Sequence, residues 1–68
     1  MKQYDQLQSE IQITLEKIAR ANASIARHNA QDNPDELAVN QFSDFKRQLT
    51  EHLLELLAEM DIRVSLAA

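Results

Sequence analysis

The first half of the chain carries its apolar residues at Tyr4, Leu7, Ile11, Leu15, Ile18 and Ile25, in steps of three or four apart from one skip before Ile25. Wound at ~100° per residue, they fall within an arc of roughly 80°. Thr14, Ala21, Asn22 and Asn29 continue the same stripe with small or polar side chains, and Gln, Glu, Lys and Arg fill the remaining positions. Those residues are good helix formers. The pattern predicts one amphipathic helix over about 2–29.

A break follows at Asn29-Ala30-Gln31-Asp32-Asn33-Pro34-Asp35-Glu36. Asn33 is read as the cap of a second helix, with Pro34 at its first position and Glu36 at its third. The acids then oppose the helix dipole, so the cluster is read as a cap and not as a cation site. From Pro34 a second stripe runs Ala38, Phe42, Phe45, Leu49, Leu53, Leu56, Leu57, Met60 and Val64. Its arc of roughly 120° is the width of a core-facing helix. The helix is placed at about 34–62, with an uncertain tail because Ile62, Val64 and Leu66 alternate with Arg63 and Ser65.

Two helices of about 42 Å joined by a short loop fold back antiparallel. The expected fold is all-α: a helical hairpin forming a single domain over 1–68. Ala21, Ile25 and Ala26 are expected opposite Phe42 and Phe45 near the loop. At the other end Tyr4, Leu7 and Ile11 are expected to meet Leu53, Leu56, Leu57 and Met60. One hairpin leaves a side of each stripe wet, so two are expected to close into a homodimeric four-helix bundle. Its core and dimer contacts are assigned to Leu7, Ile11, Ile18, Ile25, Phe42, Phe45, Leu49, Leu53, Leu56 and Met60.

Composition narrows the chemistry. The 68 residues include no glycine and no cysteine, and one proline. Without glycine a phosphate loop, a dinucleotide fingerprint or an EF-hand loop cannot be written. No disulfide can form, and two histidines without cysteine do not make a structural zinc site. No glutamate is followed by histidine three residues on, which removes the di-iron bundle pattern. A chain this short is marginal alone and commonly needs a partner as its staple. Neither catalysis nor a cofactor is expected, because two amphipathic helices offer no concave pocket for a triad. The apolar runs are too short to span a bilayer and Met1–Glu10 is polar, which points to a cytoplasmic protein without a membrane segment.

Charge adds a second pattern. The net −4 disfavours nucleic acid and anionic lipid. Residues 16–47 hold five basic and five acidic side chains, whereas the terminal remainder holds two against six. Glu51, Glu55 and Glu59 form one acidic ridge. Together with the off-stripe residues Ile13 and Leu54 they are the candidate contacts for a heterologous protein partner; Ile62 is a third apolar residue off the stripes. Lys46 falls on the stripe of helix 2, its stem packed and its amine reaching water.

The hairpin plan is similar to that of small dimeric RNA-binding regulators of plasmid copy number and of type III secretion co-chaperones, without a shared motif. The first likeness implies an RNA site at Lys17, Arg20 and Arg27, joined by Lys46 and Arg47 if they share a side. A phosphotransfer module would use His28 or His52, but His28-Asn29-Ala30 lacks the acid that follows the histidine in sensor kinases. The closing Leu66-Ala67-Ala68 resembles the end of bacterial degradation tags. The expected function is a non-enzymatic protein-interaction module: a small adaptor, inhibitor or chaperone-like subunit. RNA binding and phosphotransfer stand as the alternatives.

Overall fold

The computed structural model describes residues 4–62. Helix α1 runs Tyr4–Asn29 (26 residues) and helix α2 runs Glu36–Glu59 (24 residues). They pack against each other as a hairpin joined by residues 30–35. Residues 2–3 of the first expected helix, and Val64 and the 66–68 ending, lie outside the described residues.

α1 stops where the sequence places its end. Ala30 N–H still donates to Ala26 C=O at 3.0 Å, and Gln31 N–H donates to His28 C=O at 3.3 Å, a tighter final turn. Arg27 stands in that turn, where positive charge meets the negative end of the dipole. No residue of the connection adopts positive φ. With glycine absent, α1 ends without a left-handed residue, and neither Asn29, Asp32 nor Asn33 supplies one.

α2 begins two residues later than expected, because Asp35 and not Asn33 is the cap. The Asp35 carboxylate accepts from Ala38 N–H at 3.2 Å, and its C=O accepts from Val39 N–H at 3.0 Å. Pro34 therefore precedes the cap. Asp35 has the extended backbone of a cap, φ −81° and ψ 96°, and its carboxylate reaches the amide of the third helical residue. Ala38 occupies the third helical position, so no reciprocal capping box forms. Glu36, in the first turn, still faces the positive end of the dipole.

α2 also ends three residues early. Asp61 has φ 61°, its N–H donates to Ala58 C=O at 2.9 Å, and Ile62 N–H donates to Leu57 C=O at 2.9 Å. This pair of bonds around a left-handed residue is the Schellman stop. The position favours glycine; here aspartate fills it, one of the few side chains that tolerate it.

The packing seam repeats every seven residues. Leu7, Thr14 and Ala21 are buried on α1, Leu49 and Leu56 on α2, with Leu56 only 1% exposed. Thr14 is accommodated because its hydroxyl donates to Glu10 C=O at 2.7 Å. Ile11, Ile18, Ile25, Phe42, Leu53 and Met60 are half-buried. Three residues depart from the expected core. Phe45 is 47% exposed, Tyr4 is 67% exposed, and Ala26 lies in solvent. The cause is dimensional: the hairpin measures 47 × 25 × 14 Å, one helix thick. Each helix has one neighbour, so an apolar arc of 80–120° is only partly covered.

Candidate protein-interaction surface

His28 and Phe42 fix the alignment of the helices at the loop end, their rings stacked at 5.6 Å with 29° between planes. Two grooves run along the hairpin, one on each broad face. On the first, Asn22 and Ile25 of α1 line a cavity with Ser43, Lys46, Arg47 and Thr50 of α2. On the second, Lys17, Arg20, Ala21 and Ser24 of α1 line a cavity with Phe42 and Phe45 of α2.

Residues seven apart on a helix return to within about 20° of the same direction. Because the helices are antiparallel, one two-turn step toward the chain ends can be taken on both. On the first face, Asn22, Ile25, Ser43, Lys46, Arg47 and Thr50 are replaced by Leu15, Ile18, Thr50, Leu53, Leu54 and Leu57. All but Thr50 are apolar, and its hydroxyl donates to Lys46 C=O at 2.9 Å. Leu15 is 50% exposed and the other five are half-buried. On the second face, Lys17, Arg20, Ala21, Ser24, Phe42 and Phe45 give way to Glu10, Ile13, Thr14, Lys17, Leu49 and His52, a mixed surface. One face of the hairpin is therefore an apolar patch at its terminal half, and the other is not.

This separates the candidate contacts. Leu54 belongs to the apolar face beside Leu15. Ile13, 50% exposed, lies on the opposite side with Arg20. Glu51, Glu55 and Glu59 are exposed along α2 and line neither groove. The basic residues divide too: Lys17 and Arg20 open on one groove, Lys46 and Arg47 on the other. Arg47 is further held by Asp44 at 3.9 Å. The five cations do not share a single surface.

The histidines are likewise apart. His52 is exposed, while His28 is half-buried against Phe42 with its Nδ1 buried and without a hydrogen-bond partner. No group of three or more metal-ligating side chains gathers among the described residues, and no helix among them is long and apolar enough to cross a membrane. Sequence reasoning placed Leu15, Ile18 and Leu53 on the stripes and Leu54 beside one of them. It missed that these residues, with Leu57, make one continuous face. The seven-residue spacing carries that signal once the helices are aligned. No protein-family model, curated protein or solved structure matches the chain.

Proposed function

We propose that the protein is a non-enzymatic protein-interaction module that works as a homodimer. Two hairpins close through the Leu15, Ile18, Leu53, Leu54 and Leu57 face into a four-helix bundle, the scaffold of an adaptor, inhibitor or chaperone-like subunit. The observation that carries this reading is the apolar face itself. Five adjacent aliphatic residues, none of them fully covered, form the kind of contiguous patch that marks an interaction site.

A second copy presents the same apolar patch, and a twofold interface is self-complementary by construction. Light scattering on the full chain tests it. A mass of twice 7.8 kDa is expected, and a folded species of 7.8 kDa would overturn the proposal.

A further inference from the structure

The groove on the opposite face has a different chemistry, and it remains open when the Leu15 face is occupied. Its floor is Ala21, buried, and Phe42, half-buried; one wall is Phe45, 47% exposed. Lys17, Arg20 and Ser24 form the other wall, and the cavity between them is about 260 Å³. That is room for one or two large apolar side chains, and too little for most small-molecule ligands, whose pockets start near 300 Å³.

Both cations on the rim lack a partner among the described residues. Their situation is unusual in a chain of net charge −4. Two turns along the same face, at Glu10 and His52, the positive character is gone, so the cationic stretch is confined to the loop half. An occupant that suits this place brings an apolar side chain for the floor and a carboxylate for Lys17 and Arg20. A groove between two antiparallel helices runs along their axes, the shape that accepts a further helix through its apolar anchors. From this geometry we infer that the Phe45 groove docks an acidic amphipathic helix from a partner protein, with a bulky apolar anchor and a Glu or Asp three or four residues from it. The two positions lie on one helical face at that spacing. A polynucleotide is the poorer match, because two cations set against net negative charge neutralise few phosphates.

The test uses the full chain and a displayed library of random 16-residue peptides. Enriched peptides are synthesised, and their binding is followed by fluorescence anisotropy and circular dichroism. They are expected to carry an apolar anchor with an acid three or four residues away, and to become helical on binding. Affinity should fall at least tenfold with Phe45→Ala and with Arg20→Glu, and less than twofold with Arg47→Glu on the other face. Arg20 is exposed, so its variant keeps the test decisive should Phe45→Ala lose helix content. The inference is overturned if no peptide is enriched, if enriched peptides show no acidic preference, or if Arg20→Glu leaves their binding unchanged. Tighter binding of a 12-nucleotide single-stranded RNA than of the peptides would overturn it as well.

Discussion

His28 and Phe42, one from the last turn of α1 and one from the second turn of α2, stack at 5.6 Å and close the hairpin beside its loop. The contact has an unbalanced side, because His28 Nδ1 is buried without a partner. An aromatic pair contributes about 1 kcal/mol beyond its area, and an unmet buried polar atom costs about 1–3 kcal/mol. Leucine keeps the apolar contact and removes the unmet nitrogen. His28→Leu is therefore expected to stay within about 1 kcal/mol of the parent, while His28→Ala loses about 2 kcal/mol by opening a gap against Phe42. Urea titration at one fixed protein concentration reads both. Equal losses in the two variants would show that the ring stacking, not apolar cover, matters at this position.

The start of α2 gives a cleaner comparison. Asp35 accepts the Ala38 N–H at 3.2 Å, and a cap of this kind is worth about 1 kcal/mol. Asp35→Ala should lower stability by that amount, and Asn33→Ala should leave the urea midpoint unchanged. The reverse order would return the cap to Asn33.

The first helix was largely legible in the sequence, and the reasons for the failures are local. The end of α1 at Asn29 follows from where periodic apolar residues stop. The starts and stops of α2 do not, because three polar residues within four positions can each cap, and only backbone geometry chooses among them. Here it is the Asp35 carboxylate that accepts the Ala38 N–H, and the helix starts after it. At the other end, the stripe runs on through Met60 to Val64, yet Asp61 takes the left-handed conformation and turns the chain out of the helix. Phe45 illustrates a different limit. Its position on the stripe was readable, but a stripe reports which side is apolar, not whether the same chain covers it. Leu54 shows the converse: set beside the stripe in the sequence, it joins Leu15 and Leu57 once the antiparallel alignment places them on one face.

Asp61 sits where most helices would use glycine, with φ 61°, and its carboxylate lies at the negative end of α2. The last turn of α2 carries no basic residue to offset it. Replacing it removes both penalties. Asp61→Gly is expected to raise stability by about 1 kcal/mol, and Asp61→Asn, which removes only the charge, by about 0.5 kcal/mol. Thermal melts followed by circular dichroism, again at equal concentration, check the order. A destabilised glycine variant would mean that the aspartate side chain makes a contact that outweighs its backbone cost.

Self-association through the Leu15 face is the claim on which the functional reading rests. Sedimentation equilibrium of the full chain, the Leu15→Lys and Leu54→Lys variants, and Ile13→Lys on the opposite face tests it most directly. The parent and Ile13→Lys are expected to sediment as particles of twice 7.8 kDa. Both variants of the apolar face should shift to the monomer, because a charge buried in that interface has no partner. A parent that sediments as a folded monomer would contradict the account, and so would a dimer that survives Leu15→Lys and Leu54→Lys but is lost with Ile13→Lys.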